Sequence, residues 1–82
     1  MLITHTFAIK RMKSDISIKL GLRLRDLRMQ HGLSQEELAY KAGVHRTYIG
    51  MVERAEKNVT ITSLNKIAEA LNTDIKNLLT WD

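Results

Sequence analysis

The segment LAYKAGVHRTYIGMVE, residues 38–53, decides how the chain is read. Leu38, Ala39 and Ala42 fall at helical spacing, and Val44, Tyr48, Ile49 and Val52 resume it after Gly43. Apolar residues three and four apart line one face of a helix. Glycine tolerates the left-handed backbone that a sharp helix exit requires. The segment therefore reads as two short helices joined by a three-residue turn.

Upstream, Ser34 and Glu37 have the spacing of a capping box, in which the serine caps a free amide and the glutamate reaches back. They fix the start of the first helix, and the pair makes a helix-turn-helix. Before it, SDISIKLGLRLRDLRMQHG (residues 14–32) carries two patterns. Ile16, Ile18, Leu20, Leu22 and Leu24 alternate as in a strand, whereas Leu20, Leu24 and Leu27 follow helical spacing. Ser14 or Ser17 can cap, Gly32 can stop, and Arg, Leu, Met and Gln favour helix. The reading is a helix from about Asp15 or Ser17 to His31. After the polar loop AEKNVT (residues 55–60), Thr60 can cap a fourth helix with Ile61, Leu64, Ile67, Ala68 and Leu71 on one face. Asp74 can cap a short fifth helix carrying Ile75, Leu78 and Leu79.

The expected fold is all-α: a compact five-helix domain whose second and third helices form the helix-turn-helix. Residues 1–15 are assigned to an N-terminal arm, in which Ile3, His5, Phe7 and Ile9 alternate as in a short strand. Residues 16–82 form the domain, including a C-terminal dimerisation helix.

A chain of 82 residues suits one domain. It has no cysteine, so neither a disulfide nor a thiolate metal site is expected, and His5, His31 and His45 lack ligand-like spacing. No apolar run approaches the roughly 18–20 residues of a membrane span. The basic residues of the N-terminus follow its apolar stretch, the wrong order for a secretory signal. A cytoplasmic protein with no membrane partner is expected. No serine, histidine or carboxylate sits in a recognisable nucleophile or phosphate-loop motif, so neither an enzyme nor a cofactor is expected.

The net charge of +4 is unevenly placed. Residues 1–31 hold seven Lys/Arg against two Asp, residues 32–57 four against four Glu, and residues 58–82 two against three acids. A basic front suits a polyanion, and a neutral rear suits a protein partner.

The outward face of the second helix of the motif carries Arg46, Thr47, Tyr48 and Met51. A merely solvated face would ordinarily hold Lys and Glu. A DNA major groove admits one α-helix, and these four residues are assigned to base reading. Arg46 can fork onto guanine O6 and N7, and Thr47 can offer a methyl to thymine. Tyr48 can also meet a phosphate or pack on a flexible step. Gly50 permits close approach of the backbone. Gln35, at a helix N-terminus, together with Tyr48, Lys57 and Asn58, is assigned to phosphate contacts.

Ile75, Leu78, Leu79 and Trp81 are more apolar groups than one face of a two-turn helix can hide. They are assigned to a homodimer interface. A twofold axis would then place two recognition helices about 34 Å apart, on a near-palindromic double-stranded operator.

The joint spacing of Leu24, Arg28, Gly32, Leu33, Gln35, Leu38, Ala39, Gly43, Ile49, Glu53, Leu64, Ile67, Ala68 and Leu71 resembles the Cro/phage-repressor (xenobiotic-response-element-like) helix-turn-helix family. The resemblance covers about Leu20 to Leu79. Within that family, RTYIGMVERAEKNVTI (residues 46–61) is most similar to the controller proteins of restriction-modification systems. The resemblance implies a transcription regulator, repressor or activator by position, with RNA polymerase as a further partner. It also implies that Arg28 and Glu53 pair between the first helix and the recognition helix, and that phosphates are contacted near Gln35. A phage-type repressor, or an antitoxin whose main partner is a toxin protein, is the alternative. His45, Gly50, Ala55 and Val59 depart from the family pattern, which favours a capping residue, a residue with a side chain, a glycine and a proline at those positions.

Overall fold

The computed structural model describes residues 14–81. The alternating Ile3–Ile9 stretch assigned to a strand lies outside the described residues. Among those described there are five helices and no strand: α1 (Asp15–Gln30), α2 (Gln35–Ala42), α3 (Tyr48–Glu53), α4 (Ile61–Ala70) and α5 (Ile75–Leu78).

Four of these five helices start at a side-chain cap. Ser14 Oγ accepts the Ser17 N–H, Thr60 Oγ1 the Ser63 N–H and Asp74 Oδ1 the Asn77 N–H. At α2 the capping box is complete: Ser34 Oγ accepts the Glu37 N–H at 3.0 Å, and the Glu37 carboxylate accepts the Ser34 N–H at 2.8 Å. Gly43 ends α2 with φ of 71°, the left-handed exit expected of it. The connection to α3 is longer than three residues and runs from Gly43 to Thr47.

Helix α1 packs on α3, α2 on both α3 and α4, and α5 on α4 and α1. Leu24, Leu38, Ile49, Val52, Ile67, Leu71 and Leu78 meet as the innermost side chains. In α1 the helical set Leu20, Leu24 and Leu27 is buried, while Ile16, Ile18 and Leu22 of the period-two set are exposed. A helix turns those three away from the core.

Two expectations are corrected by the packing. Leu78, assigned to the dimer interface, is 0% exposed and closes the core beneath α4. A group sealed inside its own subunit has no surface left for a second copy. Ile61, placed on the inner face of α4, is 70% exposed, because the first turn of α4 projects to the lip of an open groove.

Helix α5 is too short to be stable alone. It is held to α1 by Leu78 and by Arg23, whose Nε donates to the Asn77 carbonyl at 3.0 Å and Nη2 to Asn77 Oδ1 at 2.7 Å. Asn77 in turn donates from Nδ2 to Thr73 Oγ1 at 2.9 Å.

Candidate nucleic-acid interface

The outward face of α3 depends on how its inner side is fixed. Ile49 and Val52 point into the core, and Glu53 ends the helix with a carboxylate that takes three N–H donors. Arg28 donates Nε to Glu53 Oε2 at 2.6 Å and Nη2 to Oε1 at 3.1 Å, and Gln35 Nε2 donates to Oε1 at 3.0 Å. Arg28 Nη1 also reaches the Leu33 carbonyl at 2.7 Å. One carboxylate thereby joins α1, α2 and α3. The two charged side chains are 12% and 4% exposed, and the bonds to Glu53 hold the Arg28 guanidinium protonated even beyond its ordinary high range. The ion pair implied by the resemblance is present with bidentate geometry.

Backbone contact adds to this clamp. A Cβ on Gly21 would fall 2.6 Å from the Glu53 carbonyl oxygen and 2.7 Å from that of Val52. Only glycine lets α1 lie this close to the end of α3.

On the other side, Arg46 and Thr47 are exposed and Met51 is half-buried. The nearest carboxylate to Arg46 is Glu36, 3.9 Å away at the surface. Tyr48 is half-buried and packs against the core, so its ring braces α3 while only part of it remains at the surface. His45, a poor capping residue by type, does not cap α3, whose N-cap Thr47 makes no side-chain cap bond; its ring instead holds the turn before the helix, where Nδ1 accepts the Thr47 N–H at 3.2 Å and lies 2.9 Å from Thr47 Oγ1.

Past α3 the chain turns through Ala55, whose φ is 58°. This is the left-handed position at which the family favours glycine, and it delivers the exposed pair Lys57 and Asn58 to the end of the recognition helix. Gln35 is half-buried and its side chain is spent on Glu53, a use its place at a helix N-terminus did not foretell. Gly50 is buried, and the close approach it permits here is that of the Gln35 and Arg54 side chains.

Arg54 was missed by sequence reading. It stands three residues after Met51 and four after Gly50, the spacing of one helix face, and is exposed. Its Nε donates to Glu56 Oε1 at 3.0 Å. The structure thus brings Arg46, Thr47, Met51, Arg54, Lys57 and Asn58 to the outer side of the motif.

Ile16, Ile61 and Leu79 line an open groove together with Leu20 and Leu64, and Lys57 and Asn58 form part of the same lining, so the groove borders this face. Trp81 is half-buried and borders a separate depression with Leu22, and Ile75 packs partly on the core. No helix among the described residues is long and apolar enough to cross a membrane.

A family model described as helix-turn-helix matches residues 24–78. The control protein C.SmaI of Serratia marcescens is 52% identical over 66 residues, covering 80% of this chain and 79% of that protein. Among solved structures, the restriction-modification controller protein C.AhdI of Aeromonas hydrophila is similar at 45% identity with a TM-score of 0.74, covering 76% of this chain and 94% of that one. SinR, described as the master regulator for biofilm formation and solved in complex with DNA, is similar at 35% identity with a TM-score of 0.70, covering 74% and 98%.

Proposed function

The chain belongs to the helix-turn-helix family of DNA-binding transcription regulators, and on that premise we propose that it is a restriction-modification controller that binds a near-palindromic operator as a homodimer. The family is one of regulators, not enzymes. The observation that carries the finer reading is the outward row on α3, held from behind by the Arg28–Glu53–Gln35 cluster and flanked by the cations Arg46 and Lys57. Helix α3 enters the major groove. Arg46, Thr47 and Met51 read base edges, while Tyr48, half-buried, contributes its exposed part to a phosphate or a neighbouring base step. Lys57 and Asn58 clamp a phosphate at one end of α3, and the first turn of α2, with the backbone N–H of Gln35, meets another.

The homodimer reading is supported by apolar surface. Ile16, Ile61 and Leu79 are exposed along one groove, with Ile75 and Trp81 half-buried at the same end of the chain. A second copy would cover this surface and set two α3 helices on successive major grooves. Bound beside a promoter, the dimer would repress or recruit RNA polymerase according to its position.

Selection of bound duplexes from a randomised pool at fixed salt tests this reading. A near-palindrome with half-sites about one helical turn apart is expected. Recovery of no consensus would overturn sequence-specific regulation. Recovery of a single half-site, with a monomer in sedimentation, would overturn the dimer.

A further inference from the structure

Thr47, Gly50, Met51 and Arg54 recur at the spacing of one helix face. Gly50 is nonetheless buried, unlike the other three. Side chains from elsewhere cover it. A Cβ built on Gly50 would lie 2.9 Å from Gln35 Oε1 and 3.0 Å from Arg54 Nη1. A carboxamide from α2 and a guanidinium from the end of α3 thus occupy the space of a side chain at position 50.

Both groups bond a carboxylate. Gln35 Nε2 donates to Glu53, which Arg28 fixes, and Arg54 Nε donates to Glu56. Gln35 is half-buried and its Nε2 is bonded to a nearly buried carboxylate, so its Oε1 flanks the same space over Gly50 that the Arg54 head occupies. A guanidinium is a planar fork, and the major-groove edge with two acceptors that fits it is guanine, through O6 and N7.

We propose that Gly50 determines sequence specificity by its missing side chain: it admits the Arg54 guanidinium, flanked by Gln35, to the centre of the recognition face, where Arg54 reads a guanine. Gly50 and Gln35 are positioning residues, and Arg54 touches the base. This rests on the DNA-binding reading above and assigns a second reader beside Arg46.

The test is selection from a randomised duplex pool with the wild type, Gly50→Ala, Arg54→Ala, Arg54→Lys and the Gly50→Ala/Arg54→Ala double variant. Circular dichroism checks each fold. The atoms an added methyl would displace are far ends of flexible side chains, so Gly50→Ala is expected to fold. It should weaken the guanine preference at one base pair of each half-site. Arg54→Ala should relax the same pair about tenfold or more. Arg54→Lys should not restore it, because an ammonium cannot fork, and the double variant should match Arg54→Ala. The proposal is overturned if the wild type keeps a consensus while Gly50→Ala and Arg54→Ala retain its preference at every position, or lose affinity for all duplexes alike. Should Gly50→Ala fail to fold, Arg54→Ala decides by the same criterion. A wild type without any consensus would overturn the underlying DNA-binding reading as well.

Discussion

Arg28 Nε and Glu53 Oε2 lie 2.6 Å apart where the first helix crosses the end of the recognition helix. The carboxylate also accepts from Gln35, so three helices share one anion. Removing one partner strands a largely desolvated charge. Arg28→Ala is expected to destabilise the fold by about 3–5 kcal/mol, the usual range for breaking a buried pair. Urea unfolding measures it. A loss below about 1 kcal/mol would mean that the pair behaves as a surface bridge.

Gly21→Ala tests the backbone contact. The new methyl would meet the Val52 and Glu53 carbonyl oxygens at 2.7 and 2.6 Å, and neither can move without moving α3. Overpacking of this kind costs about 1–3 kcal/mol. Thermal unfolding should show a lower midpoint, and operator affinity should fall even in the folded fraction because α3 is displaced. An unchanged midpoint would count against so close a crossing.

The capping box gives a pH signature. Glu37 is held below the ordinary glutamate range, first by the Ser34 N–H and then by the Ser34 hydroxyl. A carboxylate whose folded value is depressed contributes stability that is fully present above its unfolded value, about 4.3, and is lost as pH falls through the folded value. Glu37→Gln keeps an acceptor for the box but removes the titration. Its unfolding free energy should change less than that of the wild type on acidification below about pH 5. Parallel acid limbs for the two proteins would refute the linkage.

Readers and clamps separate by salt. Arg46→Ala should cost about 1–3 kcal/mol on the preferred duplex and relax one base position. Lys57→Ala should weaken all duplexes alike and lower the salt slope by about 1. Competition binding against base-substituted duplexes distinguishes them. An Arg46→Ala variant that weakens every duplex equally would move Arg46 to the clamps.

Four of the five helix starts were legible because each rests on one short polar side chain, Ser14, Ser34, Thr60 or Asp74, whereas α3 starts at Thr47 with no side-chain cap. The inner faces of α2 and α3 were legible from spacing. What spacing could not carry was the direction of long or terminal side chains. Gln35 turns inward to donate to Glu53, and His45 bonds the Thr47 N–H in the turn before α3 with a ring nitrogen that its residue type does not advertise. Nor does a count of apolar residues in α5 say which lie under α4. That depends on the helix being pulled onto α1 by the Arg23–Asn77 bonds.

This division within α5 yields a test of assembly. Leu78 is 0% exposed and Leu79 is 39% exposed, so adjacent leucines face the subunit's own core and its surface. Leu78→Asp would bury an unpaired carboxylate, and the subunit should unfold whatever its oligomeric state. Leu79→Asp places its charge on the groove shared with Ile16 and the 70%-exposed Ile61, where a lone subunit can leave it in water. In a dimer closed over that groove, twofold symmetry would bring two such charges into a desolvated seam. Leu79→Asp and Ile61→Asp should therefore keep the helical signal of the wild type, sediment as monomers at micromolar concentration, and bind the operator much more weakly. Binding to an isolated half-site should fall less than binding to the full operator, because the α3 residues themselves are untouched and only the Lys57 and Asn58 end of the groove gains a nearby negative charge. A Leu79→Asp protein that remains dimeric would exclude this groove from the interface.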